Sequence, residues 1–65
     1  MTTLKMTKEL DYQDFEMRVS YVPSLGGFKA MNLLNGTSMH LTELELGATY
    51  NFFIMRGKLR YSKVA

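Results

Sequence analysis

The chain has no cysteine, a single proline, a single histidine and no long apolar run in its 65 residues. Each shortage excludes something. Without cysteine there is no disulfide framework and no thiolate chemistry. With His40 as the lone histidine, a structural zinc site has too few ligands. No segment approaches the roughly 20 apolar residues that span a bilayer, which predicts no membrane partner. The start, Met1-Thr2-Thr3-Leu4-Lys5-Met6-Thr7-Lys8, holds no apolar run of signal-peptide length. A cytoplasmic protein is expected, in the cell or infected host that makes it.

Length imposes a further bound. A chain this short forms one domain, 1–65. It buries only about 60% of the surface its unfolded form exposes. With disulfides and metals excluded, an efficient small barrel or an oligomer remains, so a second copy of the chain is a candidate partner.

Charge is modest in sum and uneven in placement. The formal net charge is +2, too small by itself to imply nucleic acid. Residues 9–16 carry Glu9, Asp11, Asp14 and Glu16 and no base. Residues 56–63 carry Arg56, Lys58, Arg60 and Lys63 and no acid. The local potentials therefore exceed what the net charge suggests.

Hydropathy patterning reads as strands. Thr3–Thr7 alternates, with Leu4 and Met6 on one side and Thr3, Lys5 and Thr7 on the other. Lys8–Asp14 breaks the alternation and reads as an acidic loop. Phe15–Val22 places Phe15, Met17, Val19 and Tyr21 on one face, against Glu16, Arg18 and Ser20. Pro23 stops it, and Ser24-Leu25-Gly26-Gly27 supplies a turn in which two glycines can take positive φ. Phe28–Leu34 is the next strand. Asn35-Gly36 then predicts a type I′ hairpin pairing Leu34 with Thr37, Asn32 with Met39 and Ala30 with Leu41. Thr42–Gly47 reads as a short turn capped at Thr42 and ended by Gly47. The fold class expected is all-β: a small antiparallel barrel or curled sheet of five to six short strands, OB-type or SH3-like.

The C-terminal stretch Tyr50–Ala65 is the most informative. A tight turn at Arg56-Gly57 sets Met55 across from Lys58, Ile54 from Leu59, Phe53 from Arg60, Phe52 from Tyr61 and Tyr50 from Lys63. Period-two alternation then separates two faces. Tyr50, Phe52, Ile54, Leu59 and Tyr61 form a core face, with Lys63 at its rim. Asn51, Phe53, Met55, Lys58, Arg60 and Ser62 form the other. A phenylalanine and a methionine among lysine and arginine suit single-stranded nucleic acid: the ring stacks a base and the cations hold phosphates. Phe53 across from Arg60 could also pair ring and cation. The plainer reading is that the acidic 9–14 loop or the first strand covers Phe53 and Met55. Lys58 and Arg60 would then only keep an edge strand from aggregating.

The remaining chemistry is sparse. His40 has no nucleophile or carboxylate at a spacing that suggests a triad, so the expectation is a non-enzymatic protein. Glu9, Asp11, Asp14 and Glu16 do not follow a calcium-loop pattern, and Gly26-Gly27 is not a phosphate loop. No cofactor is expected. Methionine fills irregular gaps and suits adaptable surfaces; Met17 reads as core filler, Met31 and Met55 as candidates for exposure. In overall style, short, cysteine-free, methionine-rich and β-rich, the chain is similar to small accessory proteins of phages and mobile elements. That resemblance implies binding to a macromolecule over catalysis.

The resulting expectation is a single-stranded DNA- or RNA-binding module. Its site is Phe53, Met55, Arg56, Lys58, Arg60 and Lys63, extended by Arg18 and Lys29 if their strands lie alongside. The alternative is a protein that binds and modulates a host protein, through strand addition or through the acidic 9–16 segment.

Overall fold

The computed structural model describes residues 1–64. They form seven strands: β1 (Thr2–Lys5), β2 (Asp11–Gln13), β3 (Met17–Val22), β4 (Gly27–Asn32), β5 (Ser38–Leu41), β6 (Thr49–Met55) and β7 (Lys58–Lys63). A 3-10 turn at Pro23–Leu25 joins β3 to β4. All pairing is antiparallel, in a three-stranded sheet ordered β1-β6-β7 and a four-stranded sheet ordered β2-β3-β4-β5. The all-β expectation therefore stands, with seven strands rather than five or six. Strand pairing does not close the two sheets into a barrel.

The core lies between the inner faces of the sheets. Met17 and Val19 of β3, Phe28 and Ala30 of β4, and Leu41 of β5 are buried from one side. Tyr50 and Phe52 of β6, Leu59 of β7 and Met6 after β1 are buried from the other. Each large side chain so buried contributes about 1.5–3 kcal/mol, more than any surface ion pair here. Aromatic rings add directional contacts, Phe52–Tyr61 at 5.9 Å and Tyr21–Phe28 at 5.2 Å between centroids.

The acidic segment differs from its expectation as a loop. Asp11–Gln13 pairs with Arg18–Ser20 as an edge strand. Asp14 then forms the turn, its carboxylate accepting the backbone N–H of Glu16 (2.7 Å) and of Met17 (2.8 Å). These bonds, led by the one from Met17, hold the Asp14 carboxyl below its ordinary pKa. Phe15 sits inside this turn and is 79% exposed, so it is not on the buried face of β3.

The two adjacent glycines serve different ends. Gly26 is left-handed (φ 65) and ends the 3-10 turn. Gly27 begins β4 at negative φ, contrary to the expectation of two positive angles. A Cβ on Gly27 would stand 2.9 Å from the Thr42 Cα, so it is the close approach of β5's end that requires glycine there.

The Asn35-Gly36 connection is wider than a two-residue turn. Ala30 pairs with Met39 and Phe28 with Leu41. The ladder is thus displaced by two positions from the expected one, which keeps Ala30, Asn32, Met39 and Leu41 on one face but leaves Leu34 and Thr37 in the loop, both exposed. Asn35 does not adopt positive φ. The reason is side-chain capping. Asn32 Oδ1 accepts from the Leu34 N–H (3.0 Å), and Asn35 Oδ1 accepts from the Thr37 N–H (3.0 Å). These bonds stabilise an open loop in competition with the tight turn. Residues 42–48 contain no helix, and the expected turn lies at their end, where the Ala48 N–H donates to Glu45 O (3.3 Å) and Gly47 has positive φ (86). Leu44 is buried, and the backbone is tied to Met6 through Gly47 N–H to Met6 O (2.7 Å).

Candidate nucleic-acid interface

The closing hairpin folds in the predicted register: Tyr50↔Lys63, Phe52↔Tyr61, Phe53↔Arg60, Ile54↔Leu59 and Met55↔Lys58. Arg56 (φ 54) and Gly57 (φ 75) both have positive φ at the turn, as a two-residue connection matched to strand twist requires. Among the described residues, Arg56 is the only non-glycine residue at positive φ. Asparagine or glycine would fit that position with less strain, so a cationic side chain is being held there at some cost.

The hairpin separates its residues as expected. Tyr50, Phe52 and Leu59 are buried, while Ile54 and Tyr61 are half-buried against the same core. On the other side Phe53 is also half-buried, Met55 is 51% exposed, and Lys58 and Arg60 are exposed. The Phe53 side chain is thus partly covered by its surroundings. The acidic segment belongs to the other sheet. The first strand pairs alongside β6, edge to edge, and does not lie over it. Among the described residues the aromatic pairs join Tyr21, Phe28, Tyr50, Phe52 and Tyr61, and the Phe53 ring is engaged by no other ring and by no cation.

Pairing of β1 with β6 adds residues that local reasoning could not reach. Thr3 stands opposite Asn51 and Lys5 opposite Thr49. Both lie on the side of Phe53, away from Leu4 and the core. The alternation of β1 had already placed Lys5 away from Leu4; what the sequence lacked was the partner strand.

Lys63 belongs elsewhere. It lies on the inner side of the sheet, at the rim, and its ammonium meets the Glu45 carboxylate at 2.8 Å. That contact holds Glu45 below the usual carboxylate range and raises Lys63. Glu43 is likewise engaged, accepting from the Tyr61 hydroxyl. That bond, assisted by burial, pushes the Tyr61 phenol up to about 12. Arg18 is paired with Asp11 at 3.3 Å on the four-stranded sheet. Lys29 lies on that sheet too, across from His40. Neither continues the β6–β7 face. Arg56, Lys58 and Arg60 form no ion pair among the described residues.

Beside these three cations runs a groove of about 670 Å³, bounded by β7 and by the β4–β5 hairpin. Asn35 and Gly57 line it, and the side-chain N–H groups of Asn35 and of the buried Asn32 both donate to the Gly57 carbonyl at 3.0 Å. Neither asparagine stands out in the sequence as a link between hairpins. No group of three or more potential metal-ligating side chains occurs among the described residues, and no helix among them is long and apolar enough to cross a membrane. The chain matches no protein-family model, no curated protein and no solved structure.

Proposed function

We propose that this is a small non-enzymatic nucleic-acid-binding module for single-stranded DNA or RNA, working through the outer face of β6 and β7. Phe53 stacks a base, Met55 packs beside it, and Arg56, Lys58 and Arg60 contact phosphates. Lys5 extends the cationic edge across β1, and Lys63 is left out because Glu45 neutralises it. The observation that carries this reading is the partly exposed Phe53 ring, on the side of the sheet away from the core and directly across the ladder from Arg60, which forms no ion pair among the described residues. A stacked base is worth about 1–3 kcal/mol. An aromatic ring and cations on strands, with no recognition helix, suit a splayed single strand better than a duplex groove. An open, OB-type or SH3-like curl is the finer reading of the two-sheet architecture that suits such a site.

The test is binding of a labelled single-stranded oligonucleotide at two salt concentrations. Affinity should fall steeply with salt, because phosphate contacts release counterions. Replacing Lys58 or Arg60 with alanine should each lower the log–log salt slope by about 0.7. Absence of binding at low salt overturns the reading.

A further inference from the structure

The two sheets are unequal. Three strands face four, and the missing position lies beside β7, over the inner face of β5. β7 is therefore an edge. In an antiparallel ladder, alternate residues direct their N–H and C=O groups toward the partner strand. Val64 N–H donates to Thr49 O (2.8 Å), which fixes the phase. Arg60 and Ser62 turn their backbone groups toward β6. Leu59 and Tyr61 turn theirs outward, where no strand among the described residues pairs with them.

The groove beside that edge has the form of an unfilled strand position. Its floor is apolar, built from Ala30, Met39 and Leu59, and Met39 is left 38% exposed. Its rim is cationic, from Arg56, Lys58 and Arg60. The side chains of Lys58 and Arg60 stand on the outer face of the sheet and that of Leu59 on the inner.

We propose that β7 is a strand-addition site for an extended, acidic segment of a partner protein, which becomes the fourth strand of the small sheet. Residues of the incoming strand opposite Leu59 and Tyr61 point inward and cover Met39, so they are apolar. Those opposite Lys58 and Arg60 point outward, so they are Asp or Glu. A second copy of this chain fits poorly, because pairing two β7 edges sets Lys58 and Arg60 of both copies against one another, and like charges across a ladder repel. Nucleic acid fits the edge poorly as well. Its phosphates can use the N–H groups but meet the intervening carbonyl oxygens unfavourably, whereas a peptide pairs with both. The same lysine and arginine that guard the edge against self-association thus select a partner of opposite charge. This inference stands on β7's free edge and does not depend on the nucleic-acid reading of Phe53.

The test uses isotope-labelled full-length protein and a short acetylated peptide of alternating Glu and Val, followed by NMR. Binding should shift the Leu59 and Tyr61 amides and slow their hydrogen exchange. A peptide of the same sequence with its edge-facing amides N-methylated should bind about tenfold more weakly or worse, equivalent to about 1.4 kcal/mol. Met39→Glu, an exposed position, should weaken binding by a similar factor, and Phe53→Ala should leave it unchanged. A Lys–Val peptide should not bind. Three results each overturn the proposal. One is unmoved Leu59 and Tyr61 amides. Another is equal binding of the N-methylated peptide, which would mean charge attraction alone. The third is protection of those two amides by a single-stranded oligonucleotide instead of the peptide. The N-methylated peptide alters nothing in the protein, so the test holds even if Met39→Glu fails to fold.

Discussion

Phe52 and Phe53 are consecutive residues with opposite destinations. Phe52 is 1% exposed and packs on Tyr61, while Phe53 projects from the other side of the same strand, across from Arg60. The separation follows from strand geometry alone, since successive side chains leave opposite faces. It divides the hairpin into a half that holds the fold and a half that faces away from the core.

The first half should respond only in stability. Phe52→Ala removes a fully buried ring and should cost about 3–5 kcal/mol. A core of this size supplies little more than that, so thermal or urea unfolding should show the variant largely unfolded under conditions where the wild-type chain is native.

Arg56 should separate stability from binding. Its left-handed backbone (φ 54) is disfavoured for a side chain of this kind. Arg56→Asn should raise stability by about 0.5–1 kcal/mol, because asparagine is favoured at the first position of such a turn. The same change should weaken oligonucleotide binding and flatten its salt dependence. Chemical denaturation and anisotropy on one preparation would measure both.

Asn32 is 1% exposed and is the only buried polar side chain among the described residues. It accepts from Leu34 N–H and donates to Gly57 O, so it ties the two hairpin ends together. Asn32→Ala should cost about 1–3 kcal/mol, because it removes a buried side chain and leaves the Leu34 N–H without its acceptor, while Asn35 still serves the Gly57 carbonyl. Asn35→Ala, at an exposed site, should cost less. Comparison of the two by urea unfolding tests whether the linkage is a matter of burial.

Asp14 should govern the acid limb of stability. Its folded pKa lies below the ordinary value of 3.8 because the Met17 and Glu16 N–H groups bind the ionised form. A depressed carboxylate stabilises the fold above its unfolded pKa, and that contribution is lost as pH falls from about 3.8 through the lower folded value. Melting temperature followed downward from neutral pH should stay level and then fall in that window. In Asp14→Ala the fall should be shallower and the neutral-pH stability lower by about 1–2 kcal/mol.

The parts of this fold legible in the sequence are those decided by neighbours in the chain. Alternation in 50–63 and the Arg56-Gly57 turn determine the closing register, and with it the sorting of Phe52 from Phe53. Pro23 and Gly26 mark the end of β3 for reasons local to proline and glycine. The parts that were not legible depend on partners distant in sequence. Asp11–Gln13 becomes a strand because β3 offers an edge, although its composition reads as loop. The Asn32 and Asn35 side chains that hold the 33–36 loop open also reach the Gly57 carbonyl, 25 and 22 positions away, a link that only the fold reveals. Lys63 appears as one more cation in a basic run until Glu45 is seen against it. The groove beside β7 has no signature in the sequence, since its walls come from β7 and the β4–β5 hairpin, which only the fold brings together.

The central claim is that Phe53 contacts a ligand and does not support the core. The direct measurement is an anisotropy titration of a labelled single-stranded oligonucleotide against the wild-type chain and Phe53→Ala at one low salt concentration, with melting temperature recorded on the same samples. Loss of a stacked base worth about 1–3 kcal/mol predicts an affinity weaker by about tenfold, with the melting temperature nearly unchanged. Equal affinity in the two proteins, no binding by the wild-type chain, or unfolding of Phe53→Ala would contradict it.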